Sequence, residues 1–319
     1  TAKRLGTLLD ATPEDFEPDP ELKAEPARPV GFNNAARAEA RAARQAAEGR
    51  GEAVAIAHAA ERHATIRALP LDHDAYETIT DATGLARWIE AIYGAGHVAV
   101  DTETTGLDNQ AADLVGISLS TAPGNGAYLP LGHVTGEGDI FGGGPAEGQL
   151  GMDVALDLLR PMFADRSILK IFHNFKYDAG ILARYGIDIA AIDDTLLLSY
   201  SLDGPQFNTM SELSEHWLGH AGMPIKELIG SGRTRKSFAQ VPIPDAARYG
   251  AEDADLTLRL WHIIKPRLVA ENATTLYETL ERPLAPVLAR MEARGIAVDH
   301  QILSRLSGDF AQRAAAFEA

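Results

Sequence analysis

The stretch His97–Gly106, HVAVDTETTG, constrains this chain more than any other. An apolar run stops at Asp101, Glu103 follows two residues later, and a threonine pair and a glycine break the pattern. Side chains at i and i+2 of a strand share a face. A strand here would project both carboxylates together from its C-terminal end, where they repel unless a cation sits between them. Oxygen ligands of this kind suit Mg²⁺ or Mn²⁺. The spacing alone is weak: Asp19/Glu21 and Asp72/Asp74 repeat it with no apolar strand in front.

The surrounding sequence predicts a mixed α/β fold. Upstream, YETITDATGLARWIEAIYGAG holds a short β-like piece, then an amphipathic helix with Leu85, Trp88, Ile89 and Ile92 on one face, ended by Gly94 and Gly96. Downstream, LVGISLSTAPGNGAYLPLGH predicts two strands around a Gly-Asn-Gly turn. GEGDIFGGGPAEGQLG reads as loop, without the Gly-Lys-Ser/Thr ending of a nucleotide cradle. Helices and short strands then alternate to about residue 270, as in a mixed sheet with helices packed on it.

The flanks differ. Residues 1–32, rich in Pro, Asp and Glu, read as a disordered linker. Residues 33–75 read as an Ala-rich helical linker, exposed because alanine favours helix but buries little. Beyond residue 270, Leu284, Val287, Leu288 and Met291 follow helical spacing, and Gly295 makes a stop. The chain begins at Thr1 and ends while still helical, so a piece of a longer protein is expected.

There is no secretory core, no membrane-length apolar run and no cysteine, which excludes disulfides and thiolate metal sites. A cytoplasmic protein without membrane association is expected. The net charge of −16 argues against a broad basic face for nucleic acid, because phosphate contacts need Lys and Arg. A small site where metal ions meet phosphate remains compatible with it.

Two further stretches carry candidate chemistry. In ILKIFHNFKYDAGILARYGI a short strand leads into a helix starting near Asn174, with Asp178 one turn in. An acid there is equally a favourable partner of the helix N-terminus, and His173 and Asn174 are equally loop and cap residues. In ARYGAEDADLTLRLW, Tyr249 and Asp253 stack on one helical face, while Glu252 and Asp255 point elsewhere. That pattern is equally an ordinary acidic helix start. If the three stretches converge, four carboxylates can hold two metal ions about 4 Å apart, the arrangement that cleaves phosphodiesters.

The order D-x-E, N-x-x-x-D, Y-x-x-x-D resembles the proofreading-type exonucleases. VDTETTGLD, HNFKYD, DDTLLLSY and YGAEDADLTLRLW are similar to the 3′–5′ exonuclease domain of bacterial DNA polymerase I, and LERPLAPVLARMEARGIAVD to the first helix of its polymerase domain. The resemblance implies a ribonuclease H-like sheet flanked by helices over 76–270, with the start of a polymerase domain at 271–319. It further implies that Asp101, Glu103 and Asp253 bind one divalent metal, Mg²⁺ or Mn²⁺, and that Asp101 and Asp178 hold a second. Tyr249 would position the attacking water and Leu107 would wedge against the terminal bases. Asn174 and Tyr177 would contact the strand, with Thr104, His173 and Ile225 beside them. The implied partners are a single-stranded or frayed DNA 3′ end and the remaining domains of a polymerase, in a monomer.

The sequence departs from the family after SYSLD: Phe207, Asn208, Thr209 and Ser211 stand where a His-acid-Met-Asp run is common, which puts DNA grip in doubt. Arg233, Arg235 and Lys236 form a basic loop that guides a strand or is simply solvated. Two rivals follow: an RNA-trimming exonuclease of the ribonuclease D group, and an idle scaffold or DNA-binding domain.

Overall fold

The computed structural model describes residues 34–136, 144–207, 209–232 and 235–318; of 34–50 it describes only the course of the chain, apart from an exposed Gly49. The disordered linker expected at 1–32 lies outside the described residues. The chain divides into two compact units, Thr1–Arg50 and Gly51–Ala319.

A six-stranded mixed sheet organises the second unit, in the order β1-β4-β3-β2-β5-β6. Its strands are β1 (Glu77–Thr78), β2 (His97–Thr104), β3 (Leu114–Ala122), β4 (Asn125–Pro130), β5 (Leu169–Phe172) and β6 (Ile192–Asp194). β3 runs antiparallel to β2 and β4, while β5 runs parallel to β2 and β6. The β3–β4 turn falls one residue earlier than the Gly-Asn-Gly pattern predicts. Asn125 already pairs with Ala122, and Pro123–Gly124 make the turn, with Gly124 at φ 82° supplying the positive φ that a tight hairpin needs.

β2 is covered on both faces, and its alternation decides what each face receives. Val98 and Val100 join the core formed with α2 (Ala82–Ala95), α3 (Met152–Ala164) and α4 (Phe175–Arg184). Leu85, Trp88 and Ile92 of α2 are buried there and Ile89 packs against them, as its periodicity predicts. Gly94, expected to help end α2, lies inside it; Gly96 alone caps it, at φ 71°. Ala99 faces the other way, toward Leu258 of α8 (Ile243–Ala270). α8 crosses the sheet on small residues, Ala246, Ala247, Gly250, Ala251 and Ala254, all buried or nearly so, which brings its backbone close to the strands.

Three helices lie between β6 and α8: α5 (Thr195–Asp203), α6 (Met210–Leu218) and α7 (Ile225–Ile229). Upstream, α1 (Asn34–Ala68) is the expected Ala-rich helix, and its last turns are mostly exposed as expected, except that Ala59 and Ile66 on one side are buried. Ile66 is buried among Leu260, Ile263 and Ile264, and the buried Arg259 donates to the carbonyls of Leu69 (2.9 Å) and Pro70 (2.8 Å). Ile66 is the large apolar side chain that docks; Val54 and Ile56, farther up the helix, stay exposed. Downstream, a helical segment from Thr274 to Glu281 leads into α9 (Arg282–Arg294) and α10 (His300–Glu318). Gly295 ends α9 as expected.

Candidate active site

β2 delivers its acids by the same alternation. Asp101 and Glu103 fall on the face of Ala99, toward α8; Thr102 falls on the face of Val100, toward α4. The β2–β3 register slips between Glu103 and Thr104, a bulge at the point where the strand leaves the sheet. α8 brings Asp253 to the acidic pair, and one ligand oxygen from each of Asp101, Glu103 and Asp253 lies within 4.8 Å of the others. Asp178 approaches from the opposite side: the Thr102 amide (3.0 Å) and hydroxyl (2.6 Å) both donate to its Oδ1. Close approach depends on Gly250, where a Cβ would stand 2.4 Å from Ser118 Oγ and 3.4 Å from Glu103 Oε1.

The electrostatics are those of anions gathered without enough compensation. Burial first, opposed by the Thr102 amide, carries the Asp101 carboxyl up to about 7. Burial and repulsion from neighbouring acids raise Glu103, Asp178 and Asp253 well above the usual carboxylate range. Glu103 Oε1 is buried and has no hydrogen-bond partner among the described residues. An all-oxygen donor set with an orphaned buried carboxylate oxygen fits a hard divalent cation, so this triad can bind metal. Tyr249 points its hydroxyl to Asp253, and burial plus the surrounding acids raise its pKa, so it stays protonated.

All eleven residues named from the sequence line one cavity of about 880 Å³: Asp101, Glu103, Asp178, Tyr249 and Asp253, with Thr104, Leu107, His173, Asn174, Tyr177 and Ile225. Leu107 is 82% exposed at its edge. Tyr177 donates to the Gly106 carbonyl (2.5 Å), as does Thr104 (2.8 Å), and the two hydroxyls touch. Burial drives the His173 pKa down to about 4, so the ring is neutral. Its Nδ1 lies 2.8 Å from Thr195 Oγ1, which is also 3.2 Å from the Phe172 carbonyl.

Sequence reasoning missed Thr102, because strict alternation turns it away from the acids; the partner it finds is on α4. It also missed Met210 and Phe238, which line the cavity and carry no signal of their own. Arg235 and Lys236 of the basic loop line it too, whereas Arg233 lies outside the described residues. In the departing segment, Phe207 packs on the His216 ring, Thr209 caps α6 with Glu212 as reciprocal partner, and Asn208 lies outside the described residues.

The 3′–5′ exonuclease family matches the chain over residues 76–269. The chain belongs to this exonuclease family of DNA polymerase I. Over 287 residues it is 50% identical to DNA polymerase I of Rhizobium leguminosarum, covering 86% of this chain and 28% of that protein. Over 248 residues it is 35% identical to that of Pseudomonas aeruginosa, covering 76% and 26%. The chain thus spans about a quarter of the length of these relatives. Among solved structures, the POL domain of Pol1 from M. smegmatis, in complex with DNA primer-template and dNTP, matches with TM-score 0.57 at 20% identity, over 74% of this chain and 35% of that one. Brucella melitensis NrnC matches with TM-score 0.50 at 21% identity, over 69% and 93%. Escherichia coli RNase D gives 0.50 at 19%, over 70% and 51%. These likenesses concern the fold, which is ribonuclease H-like as expected. Among the described residues of this exonuclease domain, no helix is long and apolar enough to cross a membrane.

Proposed function

We propose that the domain removes nucleotides one at a time from DNA 3′ ends by metal-dependent phosphodiester hydrolysis, as the proofreading part of a DNA polymerase I. The observation that carries this reading is the convergence of Asp101, Glu103 and Asp253 within 4.8 Å in a cavity that Asp178 and Tyr249 also line. Asp101, Glu103 and Asp253 would hold one Mg²⁺ or Mn²⁺, and Asp101 with Asp178 a second. Such cations activate water and stabilise the leaving oxygen. The chain's own part is placement. Tyr249, which keeps its proton, orients the attacking water rather than deprotonating it. Glu103 would accept a hydrogen bond from that water through the carboxylate oxygen that does not ligate the cation. Leu107 presses its exposed side chain against the terminal base, and Thr104, His173, Asn174, Tyr177 and Ile225 line the path of the strand. A few frayed nucleotides need no broad basic face, which reconciles the site with a net charge of −16.

We assign residues 271–319 to the start of a polymerase domain. α10 buries none of its residues, although Ile302, Leu303, Leu306 and Phe310 lie along it, as expected of a helix that packs on further polypeptide. The test is an end-labelled primer–template with a 3′ mismatch, incubated with this chain in Mg²⁺ and in EDTA, beside an RNA of the same sequence. A single-nucleotide ladder on DNA, abolished by EDTA, is expected. Trimming of RNA alone would favour the ribonuclease D-like reading, and no trimming by the folded chain an idle scaffold.

A further inference from the structure

We infer that Asp194, in the DDTLLLSY stretch, is a positioning residue that sets the substrate-facing turn His173–Asp178. The inference rests on the exonuclease reading for its catalytic meaning and on hydrogen bonds for its geometry. Asp194 is buried and spends its carboxylate on four backbone amides. Two belong to its own helix: it caps α5 by accepting from Leu196 (2.9 Å) and Leu197 (3.4 Å). The other two lie across the sheet edge, where Oδ1 accepts from the Asn174 amide (3.1 Å) and Oδ2 from the Phe175 amide (2.9 Å).

Those two amides open α4. The helix lacks a cap of its own, because the Asn174 side chain makes no capping bond. Asn174 sits at φ 70°, ψ 55°, a left-handed conformation that a non-glycine residue keeps only when its surroundings hold it there. Asp194 supplies that hold. The consequence reaches the cavity, because the turn presents His173 and Asn174, and the first turn of α4 presents Tyr177 and Asp178. Asp194 is fixed in its turn: its own amide donates to the buried Tyr277 hydroxyl (3.0 Å), which donates to Asp193 (3.0 Å). Six of the eleven candidate site residues come from β2 and the loop after it or lie on α8 beside it; the turn is the separate piece that must be brought into register with them.

Asp194→Ser tests this. Serine keeps a hydroxyl that caps α5, but one short oxygen does not span to both Asn174 and Phe175. Asp81→Ala is the control, since it deletes the equivalent cap of α2, where Asp81 accepts from the Gly84 amide (2.8 Å), away from the cavity. At a temperature where all are folded, Asp194→Ser should exchange its 173–178 amide hydrogens faster than the native chain. Its kcat should fall by about tenfold to a hundredfold, the cost of a displacement of about 1 Å. Asp81→Ala should lower Tm and leave both unchanged. Native exchange rates or a native kcat in Asp194→Ser would overturn the assignment. A native chain that trims no 3′ end overturns the exonuclease reading itself; an active native chain with an unimpaired serine variant overturns only the role of Asp194.

Discussion

Glu252 and Asp253 are consecutive residues of α8, both acidic and both buried, and they live in opposite electrostatic states. Glu252 accepts from His73 Nε2 (2.9 Å), His220 Nε2 (2.7 Å) and the Met223 amide (2.8 Å). Those bonds outweigh its burial and hold its pKa below the usual range. Asp253, one residue on, faces Asp101 and Glu103, and its pKa is pushed well above that range by burial and then by Asp101. A buried carboxylate with a full set of donors is finished as structure. One facing other carboxylates is waiting for a cation. The same contrast separates Asp255, bound to Arg259 (3.0 Å) and Tyr76 (2.9 Å), from Glu103.

The sharpest way to break the comparison is to neutralise each neighbour in turn. Asp253→Ala removes a ligand, so exonuclease turnover in Mg²⁺ should fall by at least about 10²–10³-fold, the scale of deleting one preorganised electrostatic contact. The same change should leave the metal-free chain as stable as before or more so, since it relieves repulsion. Glu252→Gln should do the reverse. It leaves a buried donor short of its partner, at a cost of about 1–3 kcal/mol, with turnover within a few-fold of native. Urea denaturation in EDTA beside a kcat measurement reads both. A Glu252→Gln chain as inactive as Asp253→Ala would end the distinction between the two acids.

Much of this was legible in the sequence, for reasons that also fix where legibility stopped. The strand-and-acid pattern at His97–Thr104 has a period of two, so it reports which face each residue takes; the Y-x-x-x-D spacing at Tyr249 and Asp253 has a helical period and does the same. Local periodicity placed those residues correctly. It had no access to Thr102, whose contact with Asp178 depends on how α4 is docked on β2. Nor did it find His73 and His220 on Glu252, which lie 179 and 32 residues away in sequence. The docking of Ile66 and the carbonyls of Leu69 and Pro70 against α8 was invisible for the same reason: an Ala-rich helix says little about where its few large side chains will land. The Gly-Asn-Gly turn slipped by a residue because Pro123 and Gly124 together satisfy a two-residue turn, leaving Asn125 free to pair.

A second test sets the acidic triad against Glu252 by pH. Asp101, the member of the triad carried up to about 7, takes up protons on folding. A raised carboxylate pKa means the folded state favours the protonated form. The cost of the charge therefore grows as pH rises from its ordinary value near 3.8 and is full above about 7. For Glu252, whose pKa is lowered, the sign is opposite: its contribution is present above its unfolded pKa and is lost as pH falls through the folded one. Metal binding needs the triad deprotonated. Mg²⁺ at about 100 times its Kd should stabilise the native chain by about 2.7 kcal/mol, a Tm rise of about 5–10 °C, and the rise should be larger at pH 8 than at pH 6. In Glu252→Gln that difference should persist. A Mg²⁺-induced Tm rise independent of pH between 6 and 8 would mean that the buried triad is not where the ion sits.

The smallest expected effect belongs to Leu107, which tests whether exposure can be functional where burial is not involved. Its side chain is 82% exposed beside the acids, so it contributes almost nothing to the core. Leu107→Ala should leave Tm and the Mg²⁺-dependent shift unchanged. On the exonuclease reading the apolar surface at this position meets the terminal base. Covering a leucine side chain fully is worth about 1.5–3 kcal/mol, and a partial cover by a terminal base is worth less. The KM for a single-stranded 3′ end should rise a few-fold or more while kcat moves little. An equal fall in kcat with KM unchanged would place Leu107 among the residues that act in the transition state, and a lower Tm would mean that its exposure does not describe its role in the folded chain.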